Sequence, residues 1–336
     1  MHSQQRAHIE TVMQVAADST LAASVAHDDI IRHSWQRCVH EHRLDPTRMQ
    51  EAIILPSERL REHQDQMEEF LHIARHGLET LYQQVAGLGY CVLLTDARGV
   101  TVDFLGDLVV EPNLRRAGLS LGADWSEHHA GTCGVGTCIA TGQALTVHQD
   151  DHFDATHIPL TCTTAPVYDA AGRLDAVLDI SALTSPSAKE SQHLALQLVK
   201  VYASHVENAS FLHRFRHDWI LRLSGAPQFL DVNPEYLLAV DAAGRLIGHN
   251  RRAQLLLEAA LGGRPALGQP FERLFSASMN DFGRFVSSRA ADQRAIVLTG
   301  SRRLLFMLAA PPPLRRATAP QQAPENRVPA PLAALS

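Results

Sequence analysis

Residues 123–181 read ADWSEHHAGTCGVGTCIATGQALTVHQDDHFDATHIPLTCTTAPVYDAAGRLDAVLDIS, and this stretch decides the fold. It predicts a loop and a short helix, followed by three strands. The last two strands are the clearest, because Leu160–Tyr168 and Arg173–Ser181 are apolar runs with many β-branched residues. Asp169-Ala-Ala-Gly172 lies between them and favours a tight turn, so the two runs predict a β-hairpin.

The same strand, Asp-x-x-Gly turn and strand occur twice more along the chain. Tyr90–Leu105 contains one such pattern around Asp96–Gly99, and Tyr236–Gly248 contains the other around Asp241–Gly244. Each predicts a further hairpin. Three hairpins of this kind resemble sensory modules of the GAF and PAS type.

A closer resemblance is carried by several short motifs in a fixed order. They are Ser34-Trp35-Gln-Arg37-Cys38, Leu44-Asp45-Pro46, Asp124-Trp-Ser-Glu127, Gly131-Thr132, Gly136-Thr137, His152-Phe153, Leu160-Thr-Cys162, Ala165-Pro166 and Val177-Leu-Asp-Ile-Ser181. Over residues 30–310 the chain resembles the amino-terminal sensor region of sigma-54-dependent transcriptional activators of the acetoin-catabolism type. The resemblance implies a sensor for alcohols, ketones, diols or aldehydes such as acetoin.

Members of that family typically continue into an ATPase core that contacts sigma-54, and they end in a helix-turn-helix. The 336 residues contain no G-x-x-x-x-G-K-S/T phosphate loop and no recognisable carboxy-terminal helix-turn-helix. We therefore expect a sensor without the ATPase and helix-turn-helix domains. Contact with sigma-54 RNA polymerase would require the absent ATPase domain.

The predicted fold class is α+β, with a GAF-like antiparallel sheet domain followed by a smaller PAS-like α+β domain. Apolar residues at helical spacing predict helices before the first domain and between the two. The expected parts are an N-terminal helical segment (1–87), the GAF-like effector-binding domain (88–183), a linking helix (184–224), the PAS-like domain (225–309) and a disordered Pro/Ala-rich linker (310–336). The linking helix carries an apolar stripe from Leu194 to Trp219, which predicts core packing and contact in a homodimer.

Charge and cysteine content narrow the classes of function. A net charge of −6 offers no electrostatic footprint for a phosphate backbone, so we expect no direct DNA binding. Five cysteines are an odd number and indicate reduced thiols rather than a disulfide framework. With no apolar signal sequence and no run long enough to cross a bilayer, the sequence predicts a cytoplasmic protein without membrane contact.

The candidate pocket lies on the connections of the first domain, where binding residues concentrate. Trp125 would supply an apolar wall, neighbouring hydroxyl groups would bind polar atoms, and a histidine would donate a hydrogen bond. The candidate ligand-binding residues are Trp125, Ser126, Glu127, Thr132, Cys133, Thr137, His152, His157, Thr161 and Cys162.

The glycine-rich run Gly131–Cys138 allows two interpretations. Glycines before a helix can cradle a phosphate, but no lysine accompanies them here. A glycine-dependent turn with Thr137 capping a short helix is the interpretation that we favour.

Metal binding is a second hypothesis for the same region. Cys133, Cys138, His152, His157 and Cys162 are soft or borderline ligands that could serve a metal- or haem-based redox or gas sensor, although their spacing does not match structural zinc sites. We expect no cofactor. Because no nucleophile–base pair can be recognised, we also expect no enzymatic activity.

The sequence thus predicts a regulatory module that binds a small organic effector and transmits the bound state through the linking helix and the PAS-like domain. The metal-based sensor is one alternative. Another is an output-less protein that acts by pairing with a full-length relative.

Overall fold

The computed structural model of the chain describes residues 3–17, 28–48, 52–107, 111–184, 188–287, 290 and 292–313. Most of the predicted linker, residues 314–336, lies outside these ranges. Within them the chain forms two five-stranded sheets, each antiparallel throughout, so the predicted α+β class is confirmed.

The first sheet has the strand order β2-β1-β5-β4-β3. Its strands are β1 (Tyr90–Asp96), β2 (Thr101–Leu105), β3 (Leu145–His148), β4 (Thr161–Tyr168) and β5 (Leu174–Ala182). The helices around it are α1 (Ser3–Ala17), α2 (Asp29–His40), α3 (Ser57–Gln66), α4 (Glu68–Val85), α5 (Glu111–Arg116), α6 (Glu127–Ala130), α7 (Gly134–Thr141) and α8 (His193–Arg214).

The two faces of this sheet have separate cores. On β5, Leu178 and Ile180 pack against apolar residues of α4 and α8. Val177 belongs to the other face, where α7 and the N-terminal helices α1 and α2 pack. Since side chains alternate along a strand, Asp179 and Ser181 share the face of Val177. The candidate site lies on that second face.

The second sheet has the order β8-β7-β6-β10-β9. Its elements are β6 (Trp219–Ser224), β7 (Tyr236–Val240), β8 (Leu246–His249), α9 (Arg251–Ala260), α10 (Phe271–Leu274), α11 (Phe282–Ser287), β9 (Ala295–Leu298) and β10 (Arg303–Ala310). A cluster of phenylalanines, including Phe271 and Phe282 in edge-to-face contact, fills its core. The central strand of the first sheet, β5, is the last of its five strands in chain order, whereas the central strand of the second sheet, β6, is the first of its five.

All three predicted Asp-x-x-Gly hairpins are present, and they share one turn chemistry. Oδ1 of Asp96, Asp169 and Asp241 accepts hydrogen bonds from the backbone N–H groups two and four residues later, at 2.8–3.0 Å. The glycine at the end of each turn has a positive φ between 74° and 95°. An aspartate that mimics a backbone acceptor and a glycine that tolerates the left-handed region therefore define these turns.

The prediction of a linking helix over 184–224 is wrong beyond Arg214. α8 ends at Arg214, and Trp219–Ser224 forms β6, which hydrogen-bonds to both β7 and β10. Phe215 and Trp219 have helical spacing, but a turn in which Asp218 N–H donates to Phe215 O separates them. The second sheet thus begins at Trp219, before the predicted boundary at 225, because pairing with distant strands outweighs local periodicity.

The N-terminal helices also differ from the prediction of one separate segment over 1–87. The apolar stripe from Leu60 to Val85 is divided at Met67 into α3 and α4. α4 covers one face of the first sheet and α2 covers part of the other. These helices complete the first domain because the sheet would otherwise expose its apolar faces.

Candidate ligand-binding site

Residues 124–126, which we call the Trp125 loop, are anchored on the turn of the first hairpin. The backbone N–H of Trp125 donates to Gly99 O at 2.9 Å, and Val100 pairs with Asp124 as an isolated β-bridge. Asp124 Oδ1 accepts hydrogen bonds from both the backbone N–H and the hydroxyl group of Ser126. Ser126 therefore uses its hydrogen-bond donors to stabilise the loop.

The glycine-rich run serves close packing. A Cβ atom on Gly136 would lie 2.6 Å from Glu127 N and 2.7 Å from Trp125 O, and one on Gly134 would lie 2.8 Å from Cys162 Cβ. These glycines let α7 lie directly on the sheet and on the Trp125 loop. The N-cap of α7 is Cys133, whose Sγ accepts from Gly136 N–H at 3.3 Å, so the predicted capping role of Thr137 is wrong.

Trp125 is 4% exposed and separates two small cavities. The inner cavity, of about 10 Å³, is lined by Leu93, Leu119, Trp125, Cys133, Gly134, Val135, Cys162, Asp179 and Ser181. The outer cavity, of about 20 Å³, is lined by Ala52, Ile53, Trp125, His129, Ala130, Asp154 and His157. The side chain of Trp125 thus belongs to the walls of both.

Four buried polar atoms in this region, three of them on residues that line a cavity (Trp125, His157 and Asp179), have no hydrogen-bond partner among the described residues. They are Trp125 Nε1, His152 Nε2, His157 Nδ1 and Asp179 Oδ1. The rings of Trp125 and His157 are 5.4 Å apart between centroids, and those of His152 and His157 are 6.1 Å apart. Because a buried unpaired polar atom costs on the order of 1–3 kcal/mol, such a group indicates an adaptation to a ligand.

The protonation state of His152 follows from its contacts. Nδ1 lies 2.9 Å from Gln149 O, a pure acceptor, so Nδ1 carries the proton and Nε2 presents a lone pair. Burial and the neighbouring His157 lower the pKa of His152 to about 3, and burial also lowers the pKa of His157. At neutral pH His152 therefore offers an acceptor, not the donor expected from the sequence.

Three predicted pocket residues instead join the sheet domain to α2. Glu127 is 6% exposed and forms two hydrogen bonds of 2.8 Å with Arg37. Ser34 Oγ contacts Glu127 Oε1, Thr132 Oγ1 and Thr137 Oγ1. This set of side chains, which we call the α2 clamp, explains the Ser34–Cys38 motif as a docking element.

The tryptophan and cysteine of the same motif complete the docking of α2. Trp35 is fully buried and its Nε1 donates to Asp151 O at 2.9 Å. Cys38 Sγ lies 3.6 Å from Thr132 Oγ1. α2 thus covers the segments that surround the candidate site.

Thr161 does not join the pocket, because it lies on the opposite face of β4 from Cys162. Its hydroxyl group is 2.9 Å from His148 Nδ1. Conversely, Asp179 lines the inner cavity but is not among the pocket residues predicted from the sequence. A signal was present, since an acidic residue inside the apolar run Val177–Ser181 is unusual in a buried strand.

The residues proposed for a metal do not converge. In the described part of the chain, no group of three or more His, Cys, Asp or Glu side chains is arranged to hold a metal ion. Burial raises the pKa of Cys138 to about 12 and also raises the pKa of Cys133 and Cys162. Protonated thiols are poor ligands and poor nucleophiles, so the geometry gives no support to a metal-based sensor or to a catalytic thiol.

Comparison with known families identifies the first domain. Residues 69–209 match the GAF domain family. The first domain is a GAF domain. The matched range includes most of α4 and α8, which cover one face of the sheet, as well as all five strands.

Its relatives are regulators. The chain is 60% identical over its whole length to the acetoin catabolism regulatory protein of Cupriavidus necator. It is 26% identical over 54% of its length to the acetoin dehydrogenase operon transcriptional activator AcoR of Bacillus subtilis. Over 58% of its length it is 27% identical to the propane 2-monooxygenase operon transcriptional activator MimR of Mycolicibacterium goodii.

The chain spans about half the length of the first relative, 51%, and the matches to AcoR and MimR cover 29% and 32% of those proteins. Among the described helices, none is both long enough and apolar enough to span a membrane.

Proposed function

We propose that this chain is the sensory region of a transcriptional activator and that it binds a small organic effector against Trp125. The observation that carries the proposal is a pair of buried atoms, Trp125 Nε1 and His157 Nδ1, that have no hydrogen-bond partner among the described residues and belong to side chains lining the two cavities. His152 Nε2, also without a partner there, belongs to a ring 6.1 Å from that of His157. Small-ligand sites combine apolar walls with a few polar groups in this way.

The effector class that fits is an alcohol, ketone, diol or aldehyde of the acetoin type. Trp125 Nε1 is a donor that suits a carbonyl oxygen, and His152 Nε2 is an acceptor that suits a hydroxyl group. The names of two relatives, which refer to acetoin catabolism and to an acetoin dehydrogenase operon, support the same class. Because the two cavities are small, binding requires movement of Trp125.

We also propose that the full-length activator passes the signal to sigma-54-dependent transcription, as its resemblance to that family implies. We propose that the bound state changes the position of α2 and α8, which pack on opposite faces of the GAF sheet. Such transmission requires that the effector bind one arrangement more tightly than another.

A thermal-shift experiment with acetoin tests the site. Acetoin at about 100 times its dissociation constant should stabilise the wild-type chain by roughly 2.7 kcal/mol. Trp125→Phe keeps the apolar wall but removes the N–H group, and it should weaken binding about tenfold; Trp125→Ala and His157→Ala should abolish the shift.

His205→Ala is the matched control, since His205 is exposed on α8 and should leave the response unchanged. An undiminished acetoin response in both Trp125→Ala and His157→Ala would place the effector elsewhere.

A further inference from the structure

Asp179 occupies the middle of the GAF sheet, on the face of the candidate site. Its cross-strand neighbours are Leu93 on β1 and Thr164 on β4. The side chain is 2% exposed. Oδ2 accepts a hydrogen bond from Ser181 Oγ at 2.6 Å, whereas Oδ1 has no partner in the part of the chain that the structure describes. One half of a fully buried carboxyl group is thus left for another molecule.

The free oxygen lies at the wall of the inner cavity. Oδ1 is 3.4 Å from the point where a Cβ atom on Gly134 would stand, and both residues line that cavity. The absence of a side chain at Gly134 therefore keeps Oδ1 accessible from the cavity. Around it the lining is largely apolar, with Leu93, Leu119 and Trp125.

The groups that titrate around Asp179 are thiols from three neighbouring elements. They are Cys91 on β1, Cys162 on β4, and Cys133 and Cys138 at the start of and within α7. Burial raises the pKa of each thiol, so none carries charge near neutral pH. No lysine, arginine or histidine of the described residues lines the inner cavity.

Burial, offset in part by the Ser181 hydrogen bond, raises the pKa of Asp179 to about 7. Below that pH the carboxyl group is protonated and can donate a hydrogen bond. An anionic ligand would meet no cation in this cavity and would lose its hydration without compensation.

We propose that Asp179 anchors the effector through Oδ1 and restricts it to uncharged oxygen compounds, namely ketones, hydroxyketones, alcohols and diols. This inference rests on the proposed function and names the residue that selects the effector. The protonated carboxyl group donates to a ketone oxygen, and after ionisation it accepts from a hydroxyl group instead.

Titration calorimetry with matched probes tests the anchor. In the wild-type chain, the affinity for 2-butanone should fall more than about tenfold between about pH 6 and about pH 8.5, because a carboxylate cannot donate to a ketone. The affinity for 2-butanol, which carries its own donor, should change less than about threefold. Lactate, in which a carboxylate replaces the acetyl group of acetoin, should bind at least about a hundredfold more weakly than acetoin.

Two substitutions of Asp179 test the contribution of its carboxyl group to binding. Asp179→Asn donates at every pH, so its affinity for 2-butanone should not depend on pH. Asp179→Leu can neither donate nor accept, and it should bind both probes at least about tenfold more weakly than wild type. Glu207→Gln is the matched control, since Glu207 is another buried carboxyl group with a pKa raised by burial, to about 6, and it lies outside both cavities.

The outcomes separate the two proposals. A ketone affinity that is independent of pH in wild type, or lactate binding as tight as acetoin binding, would overturn the role of Asp179 even if Trp125→Ala still abolished the acetoin response. If Asp179→Leu does not fold, the pH profile of Asp179→Asn decides. A wild-type chain that binds none of the probes contradicts the proposed function itself.

Discussion

At the scale of single residues, the site depends on positions where a side chain is either missing or left unpaired. Gly134 and Gly136 allow α7 to approach the sheet and the Trp125 loop more closely than any residue with a Cβ atom could. Asp179 and Trp125 each keep a buried polar atom without a hydrogen-bond partner in the described part of the chain. The glycines determine the shape of the candidate site, and the unpaired polar atoms determine which hydrogen bonds it can form.

Gly136→Ala should destabilise the chain by about 2 kcal/mol or more. The new methyl group would lie 2.6 Å from Glu127 N and 2.7 Å from Trp125 O, and backbone atoms cannot yield as a flexible side chain does. Gly283→Ala in α11 is the control, because no atom of the described residues lies within 4 Å of the added Cβ atom and alanine favours a helix. Urea unfolding of both variants measures the difference, and equal stabilities would contradict the close approach.

Asp179→Asn should become more stable relative to wild type as the pH rises. The pKa of Asp179 is about 7 in the folded state against an ordinary 3.8, so the folded state holds the extra proton between these values. The stabilising effect of protonation is complete below about pH 4 and is lost as the pH rises through 7.

Asp179→Asn has no carboxyl group to ionise, so it does not lose stability as the pH rises. Above about pH 7 its free energy of unfolding relative to wild type should increase by an amount on the order of a few kcal/mol. Unfolding at about pH 5 and about pH 8 tests this, with Asp231→Asn as a control for the removal of an exposed carboxyl group. A gain that does not change with pH would show that Asp179 is not buried in this way.

At the scale of elements, α2 is attached to the GAF domain by polar contacts that have little access to solvent. The α2 clamp joins Ser34 and Arg37 to Glu127, while Trp35 reaches Asp151 O. Glu127 follows the Trp125 loop directly, so a movement of that loop on ligand binding would strain the clamp. α2 is therefore suited to report the state of the site.

Arg37→Ala should destabilise the chain by about 3 kcal/mol, because it leaves the Glu127 carboxylate buried without its cation. Arg59→Ala provides the same chemical change in an exposed pair, Arg59–Glu62, where the side chains are 69% and 57% exposed, and it should cost less than about 1 kcal/mol. Denaturant unfolding gives both values. Equal effects would mean that the α2 clamp does not hold the helix.

At the scale of the whole molecule, α8 connects the two sheets. Its Glu207 accepts from the N–H group of Arg251 at the start of α9, at 2.5 Å, and Arg251 also stacks 4.3 Å from the Tyr168 ring at the end of β4. His249 N–H donates to Ala170 O in the turn between β4 and β5. The second domain is thus in direct contact with the hairpin that contains Asp179.

The apolar stripe of α8 only partly faces solvent, so only its exposed part can contact a second copy of the chain. Leu198 and Leu212 pack within the chain's own cores, so substitutions there would disturb folding. Leu194 and Val201 are 81% and 46% exposed. Val201 also lines a cleft of about 400 Å³ together with the exposed Leu255 of α9.

We expect a homodimer through this exposed part of α8. The double variant Leu194→Glu, Val201→Glu should sediment as a monomer, since two buried carboxylates would oppose association. Val232→Glu, at a position 80% exposed in the second domain, should remain a dimer. A wild-type chain that sediments as a monomer at micromolar concentration would refute the interface.

Sequence patterns alone determined the three hairpins and the GAF resemblance. Each Asp-x-x-Gly turn is encoded within five residues, because one aspartate side chain bonds to backbone N–H groups two and four positions later. Trp125 and the histidines could be chosen as pocket residues in the same way, from residue type and position on connections. Local chemistry of this kind can be read from the sequence.

Only the tertiary structure decided which side chains remained free. Glu127, Thr132 and Thr137 have the chemistry of pocket residues, but Ser34 and Arg37, some ninety to a hundred positions earlier in the chain, occupy them. Among the described residues, Asp179 lacks a second partner because its neighbours across the sheet and above it supply none. Whether a polar atom is satisfied depends on residues distant in the sequence, and burial then makes that difference large.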